Sequence, residues 1–318
     1  MGADPIGLPV FERLAQLHAA GDIRLAGVIS QPARPSGRGR KLQANAIAAA
    51  ALAHKLDLLR PEKPDDATVT WLQQVEVDVI LVMAYGHILK KNLLAVARKE
   101  IVNLHASILP KLRGASPVET AVATGENQTG VSLMRIVPKM DAGAVCDIER
   151  VWITDSDTGG SVREKLAACA VPLVERNLAD LLAGAARFQP QVEAEATYCR
   201  KLTREDGALD YGHGAQALAC RVRGLDPWPG CFIEVETDRR IKVRGARFLA
   251  QNEAEPGVVL GLREECLAVG TAAGTLLIEH LQRPGGKLLP APDFLRGFPI
   301  PAGTRLLKRV APPLIEAR

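Results

Sequence analysis

Asn103, His105 and Asp141 are the residues of this sequence whose types and spacing can do chemistry together. Asn103 and His105 stand two apart at the end of the apolar run that begins at Ile101. Residues two apart on a strand point to one face, so an amide and an imidazole would project side by side from the strand's carboxyl end. Open α/β sheets bind their ligands at that end. A helix over 117–124 and a strand over 130–136 then bring the chain back to Met140-Asp141-Ala142-Gly143. An amide, an imidazole and a carboxylate meeting in one place point to acyl-type chemistry. The amide can stabilise a developing oxyanion. The imidazole, which changes charge near neutral pH, can carry a proton from an attacking to a leaving nitrogen. The carboxylate can orient the imidazole, favour its charged form or hold a proton-relaying water. A lone histidine after a strand is more often structural; it is the trio that suggests catalysis.

The elements that must position these residues follow from periodicity. Helical spacing of apolar residues over 8–20 ends at Gly21, a residue suited to a helix C-cap. A short strand is predicted over 23–29, a loop rich in Pro, Gly and Arg over 31–41, and helices over 44–56 and 67–74. The run over 77–83 is nearly continuous apolar, the mark of a parallel strand buried on both faces. Such alternation indicates an α/β domain with a mostly parallel, Rossmann-like sheet. A long helix over 160–183 closes this first domain, expected to span 1–186. The polar, aperiodic stretch 187–200, which carries Pro190, reads as a linker. From 201 to 318 the pattern changes. After a helix over 215–223 come five short strands, over 231–235, 241–248, 257–262, 267–271 and 275–281. Evenly spaced short strands of this kind suggest a small β-barrel.

Length and composition bound the rest. The 318 residues suffice for two domains, each with its own core, and 47% hydrophobic content argues against disorder. Aromatic residues make up only 4%, so the core is expected to be aliphatic. No apolar run approaches the roughly 20 residues that cross a bilayer, and no charged-then-apolar leader is present. A cytoplasmic protein without membrane contact is expected. The six cysteines show no Cys-x-x-Cys spacing, which argues against a disulfide framework or a zinc site, so no metal is expected. A net charge of +4 permits a polyanionic partner without demanding one. No long exposed apolar helix calls for an obligate dimer, and a monomer is expected.

Three segments together carry a resemblance: Asn103-Leu104-His105-Ala106-Ser107-Ile108-Leu109-Pro110, Arg113-Gly114 and Asp141-Ala142-Gly143. They resemble the signature of the folate-dependent formyltransferases. That resemblance implies that a formyl group is taken from 10-formyltetrahydrofolate through Asn103, His105 and Asp141. It further implies folate contacts at the turn Ser107, Ile108, Leu109 and Pro110 and at Gly143. The loop after the preceding strand, Ala84-Tyr85-Gly86-His87-Ile88-Leu89, is implied in the same way, with Tyr85, Gly86, Ile88 and Leu89 as its contacts. Read without the resemblance, Ser107 to Pro110 is an ordinary rigid turn.

Residues 31–41, QPARPSGRGRK, hold four cationic side chains, Arg34, Arg38, Arg40 and Lys41, and no acid. Most such loops are simply solvated, but a basic loop can also follow a phosphate backbone. This one is similar to the inserted loop of the family members that act on tRNA, with Arg38 at its central arginine. Lys201-Leu202-Thr203 and Asp226-Pro227-Trp228-Pro229-Gly230 resemble the C-terminal domain of those members, an oligonucleotide/oligosaccharide-binding (OB) type β-barrel that binds tRNA. The resemblance implies initiator methionyl-tRNA as acceptor, at the start of translation. Charge alone does not identify such a surface, since 17 basic residues face 14 acidic ones from 201 onward. Trp228, between prolines, reads as a core or hinge anchor. Arg239, Arg240, Lys287, Arg305 and Lys308 are weaker candidates for phosphate contact. Two other readings are a family member acting on a small amine and a catalytically impaired tRNA-binding relative. The basic loop and β-domain disfavour the first, and the intact trio disfavours the second.

The sequence departs from the family at its start. Members begin with a short apolar strand leading into a Gly-x-x-Pro turn. Here that turn is Gly2-Ala3-Asp4-Pro5, preceded by Met1 alone. A sheet without its first strand is expected, with a natural start several codons upstream as the explanation. Tyr211 stands where the family usually carries Trp.

Overall fold

The computed structural model describes residues 1–36, 41–235 and 240–316. Two compact units are found. One comprises Met1–Arg113, Thr129–Val151 and Arg163–Ala196, the other Gly114–Gln128, Trp152–Val162 and Thr197–Arg318.

The first unit is an α/β, Rossmann-like domain whose helices are defined by their caps. Helix Leu8–Ala20 stops at Gly21, which at φ 85° sends its N–H back to the carbonyls of Leu17 and His18. Asn45 accepts from the Ala48 N–H at the start of helix Ala46–Ala53. Asp65 and Thr68 cap helix Asp66–Gln74 reciprocally. Four strands form a sheet in the order Val79–Val82, Glu100–His105, Gln128–Arg135, Val145–Trp152. The first two run parallel, with Val82 opposite Asn103. The third is antiparallel to the second, with His105 opposite Ser132. Ile29, Leu72, Ile80, Val82, Leu93 and Ile101 form the buried core beneath. The long helix observed is Gly159–Ala183.

A second, two-stranded piece pairs Val28–Ile29 with Leu58–Leu59 in parallel. Strand 23–29 is thus reduced to its last two residues, and the reason lies beside it. Among the described residues, Met1 and Gly2 stand between Ile29 and Met83. The Gly2 N–H donates to the Ile29 carbonyl at 3.1 Å, and the Met83 N–H donates to the Met1 carbonyl at 3.0 Å. The Met1 ammonium donates to the Leu81 carbonyl at 2.6 Å, and its burial pushes its pKa down to about 5. Beyond these two residues lies a cavity of about 260 Å³, lined by Gly27, Val28, Trp71, Val79, Ile80 and Leu181 among others. Leu25, Ala26 and Gly27 line that space instead of a strand, so no ladder forms along them.

The second unit is built on an antiparallel sheet in the order Cys231–Glu234, Arg240–Leu249, Thr275–Gln282, Cys266–Gly270, Val259–Arg263. Leu289–Pro290 adds to Thr275–Gln282. Ile241, Val243, Leu267, Val269, Leu276 and Ile278 pack with Leu218 and Val222 of helix Ala215–Gly224 and with Tyr211. Among the described residues the ladder path stays open between its two end strands. Trp228 is 51% exposed, so it is no core anchor. Arg240 is paired with Glu205 and Glu234, and Arg305 with Glu255. Arg239 lies outside the described residues.

Candidate active site

Strand Glu100–His105 delivers its last residues next to the loop that leaves Val79–Val82, because Val82 lies opposite Asn103. His105 is buried, 6% exposed. Its Nε2 lies 2.9 Å from the Leu112 carbonyl oxygen. A carbonyl oxygen only accepts, so Nε2 carries the hydrogen, and the neutral ring has its lone pair on Nδ1. Asp141 Oδ2 stands 3.7 Å from that Nδ1. The distance is too long for a hydrogen bond but short enough for an ion pair once the ring is protonated. Asn103, half-buried on the same strand, makes no side-chain hydrogen bond among the described residues. The arrangement therefore offers an uncommitted amide donor, a nitrogen base and a carboxylate that stabilises the protonated base.

The turn after the strand is locked from several sides. The Ser107 N–H donates to the His105 carbonyl at 2.9 Å, and its hydroxyl donates to the Lys111 carbonyl at 2.6 Å. The Ser132 hydroxyl donates to the Ser107 carbonyl at 2.7 Å and accepts from the Leu109 N–H at 3.1 Å. Ser107 and Leu109 are buried; Ile108 and Pro110 are half-buried.

In the loop after Val79–Val82, Ala84 and Gly86 adopt positive φ, 46° and 79°. Gln31 Nε2 donates to the Tyr85 carbonyl at 2.7 Å. A Cβ on Gly86 would stand 2.7 Å from that nitrogen, so a side chain there would push Gln31 away. Leu89 is buried, whereas Ile88 is 89% exposed. Tyr85 and His87 meet edge-on at 5.2 Å. The Tyr85 hydroxyl and His87 Nε2 are buried without a hydrogen-bond partner among the described residues. Burial pushes the Tyr85 phenol up to about 12. Unpaired buried polar atoms are costly until a ligand or water completes them.

Asp141 itself sits at φ 49°, in the left-handed region. Gly143, two residues on, lies against the end of strand Gln128–Arg135. A Cβ there would be 1.7 Å from the Arg135 carbonyl oxygen. Gln191 holds both residues by their backbones, donating from Nε2 to the Asp141 carbonyl at 2.8 Å and the Gly143 carbonyl at 2.7 Å. Arg113, fully buried, in turn donates to Gln191 Oε1 from Nε at 3.0 Å and from Nη2 at 2.9 Å. Gln189 exchanges backbone hydrogen bonds with Val145. The start of the stretch read as a linker is thus bound to the first unit. Gln191 has no spacing or motif in the sequence that announces it.

Within the basic loop, Arg34–Ser36 pairs antiparallel with Lys41–Gln43. Its stems are tied together, since Asn45 Nδ2 donates to the Gln31 carbonyl at 3.0 Å, and Gln31 is the residue that holds Tyr85. Lys41 is exposed. Arg34, also exposed, pairs with Glu62. Arg38 and Arg40 lie outside the described residues.

Comparison with known proteins gives a consistent picture. Residues 9–176 match the family described as Formyl transferase, and residues 201–299 match Formyl transferase, C-terminal domain. The Methionyl-tRNA formyltransferase of Gluconobacter oxydans is 37% identical over 95% of this chain and 98% of that protein. Its counterpart from Ralstonia pickettii is 37% identical over 95% of this chain and 97% of that protein. Among solved structures, the N-formyltransferase from Helicobacter canadensis, in complex with folinic acid and dTDP-3-aminofucose, is similar with a TM-score of 0.65. It is 14% identical, over 87% of this chain and 96% of that one, a likeness of fold alone. With one family spanning more than half of its length and relatives aligned almost end to end, the chain belongs to the formyl transferase family.

Proposed function

We propose that this protein transfers the formyl group of 10-formyltetrahydrofolate to the free amino group of initiator methionyl-tRNA, for translation initiation. The observation that carries the reading is the approach of His105 Nδ1 to Asp141 at 3.7 Å, beside an uncommitted Asn103 amide. Folate supplies an activated formyl carbon. Asn103 donates to the formyl oxygen as negative charge develops on it. His105 Nδ1 takes the proton from the attacking amine, while Nε2–H stays on the Leu112 carbonyl and keeps the ring oriented. The ring is then cationic, and Asp141 stabilises it until the proton passes to the leaving nitrogen. Ser107 to Pro110, Gly143, Tyr85, Gly86, Ile88 and Leu89 border the folate in this reading. Ile88 is exposed, so its share is backbone or a surface apolar contact.

The choice of acceptor rests on full-length similarity to methionyl-tRNA formyltransferases and on the basic loop tied to the Tyr85 loop. In that role Arg34, Arg38, Arg40 and Lys41 meet the phosphates of the acceptor end, and 201–318 forms a second tRNA-binding surface. The test supplies purified protein with 10-formyltetrahydrofolate and either methionyl-tRNA or free small amines. Formylated methionyl-tRNA supports the proposal. Product from small amines alone overturns it, as does tRNA binding without product.

A further inference from the structure

Two hydrogen-bonded supports meet behind the proposed catalytic pair. Leu112, whose carbonyl holds the His105 ring, immediately precedes Arg113. Arg113 is fully buried and spends its Nε and one terminal nitrogen on Gln191 Oε1. Its other terminal nitrogen meets both Glu193 oxygens, at 3.0 and 3.2 Å. Glu193 also receives Lys139, a residue of the loop that carries Asp141. Gln191 completes the chain of contacts. Its amide donates to the two carbonyls on either side of Ala142. A side chain that grips the backbone at 141 and 143 fixes the dihedral angles of the segment and hence where the Asp141 carboxylate points. Asp141, at φ 49°, is held in a conformation that most side chains avoid.

We propose that Gln191, backed by Arg113, is a positioning residue that sets the Asp141 carboxylate against His105. The assignment rests on the proposed roles of His105 and Asp141. It gives part of the stretch after helix Gly159–Ala183 a task in catalysis rather than in tethering. The proton-handling residues then hang from the adjacent residues Leu112 and Arg113. The separation of Nδ1 and Oδ2 is consequently set by hydrogen bonds rather than by loop packing alone.

Gln191→Glu is the discriminating variant. A carboxylate still accepts from Arg113, but it cannot donate to the Asp141 and Gly143 carbonyls. We expect kcat to fall by about 10²-fold, the usual cost of a catalytic group displaced by about 1 Å. KM for the folate should stay within about threefold, because the loss is confined to the reacting geometry. The stronger readout is a cycle with Asp141→Asn. A residue that acts through Asp141 has nothing further to lose in that background, so Q191E should leave the rate of D141N unchanged. Losses that multiply would show a structural role only and overturn the proposal, as would wild-type kcat in Q191E. If Q191E does not fold, Gln191→Asn, which keeps both polar groups one methylene short, supplies the same cycle. Should H105A and D141N by themselves cost nothing, the catalytic reading fails instead. Loss in those two with an unaffected Q191E sinks only the assignment of Gln191.

Discussion

His105 and Leu112 are joined by one hydrogen bond that decides which ring nitrogen is free to work. Nε2–H is committed to the Leu112 carbonyl at 2.9 Å, so the lone pair on Nδ1 faces Asp141. His105→Ala removes the base and its hydrogen bond to Leu112, while the Ser107–Leu109 turn keeps its own bonds to Lys111 and Ser132. We expect kcat to fall by a factor on the order of 10² or more, the usual contribution of a positioned acid–base group. Folate affinity should stay near the wild-type value. Single-turnover rates and a folate titration check both, and near-normal turnover would refute the role of His105.

Gly143→Ala tests how tightly the Asp141 loop is held. The added Cβ meets the Arg135 carbonyl oxygen at 1.7 Å, and backbone cannot yield as a flexible side chain does. Forced insertion of this kind costs about 1–3 kcal/mol or more. Denaturant unfolding of the variant should show that loss together with reduced turnover. Unchanged stability would mean that the loop adjusts freely.

Tyr85→Phe removes a hydroxyl that is buried without a partner among the described residues. The free protein should be as stable as the parent or slightly more so, since an unsatisfied polar group disappears. If that hydroxyl pairs with folate, its loss weakens binding by about 0.5–1.5 kcal/mol, a severalfold change in Kd. Equal affinity for both proteins would take Tyr85 out of the folate site.

Arg38→Ala asks whether the basic loop serves tRNA. We expect kcat/KM for methionyl-tRNA to fall, and the slope of log affinity against log salt to shrink by about one if Arg38 neutralises a single phosphate. Folate affinity should not move. An unchanged kcat/KM would return the loop to an ordinary solvated surface.

The cavity beside Met1 makes a prediction about chain extension. Five or six apolar, β-branched residues appended before Met1 would continue the parallel pairing of Gly2 with Met83, past Leu81, Ile80 and Val79. Each large side chain buried gains roughly 1.5–3 kcal/mol, against about 1–2 kcal/mol for each residue ordered. New backbone hydrogen bonds on both edges add to the gain, and Tm should rise by several degrees. The extension also removes a buried amine. In the protein beginning at Met1 that amine titrates at about 5 when folded, against an ordinary value of 8.0. The unfolded chain therefore holds the extra proton between those values. Stability rises with pH across that window and is lost as pH falls through about 5. Thermal unfolding from pH 5 to 8 should show this dependence before extension and not after. The same Tm in both proteins would mean that the cavity does not accept a strand.

The strand with Asn103 and His105 is legible in the sequence because period-two spacing places both on one face and apolar neighbours mark the strand. Asp141 is legible in part, since the helix and strand between return the chain towards the pair, and the family signature then singles it out, because nothing local ties a loop carboxylate to a particular imidazole. Gln191 stays hidden. It acts through side-chain hydrogen bonds to backbone 50 and 48 residues away, which leave no periodicity behind. Strand Val145–Trp152 escapes a sequence reading for a related reason. It is a half-buried edge strand bearing Asp147, Glu149 and Arg150, and its burial alternates too weakly to print a pattern. The reduced strand at Val28–Ile29 shows the converse, for apolar residues with β propensity form no ladder where a partner is lacking.

The left-handed backbone at Asp141 has a consequence for how this position can change. Aspartate and asparagine are several times commoner in that region than other non-glycine residues, although Glu76, Glu264 and Glu265 of this chain adopt it too. An exchange to asparagine keeps the loop's shape while abolishing its charge, whereas glutamate would keep the charge but carry it one methylene further from the backbone. Asp141→Asn should therefore give a protein that gathers both reactants and turns them over slowly, a form in which to trap the complete complex.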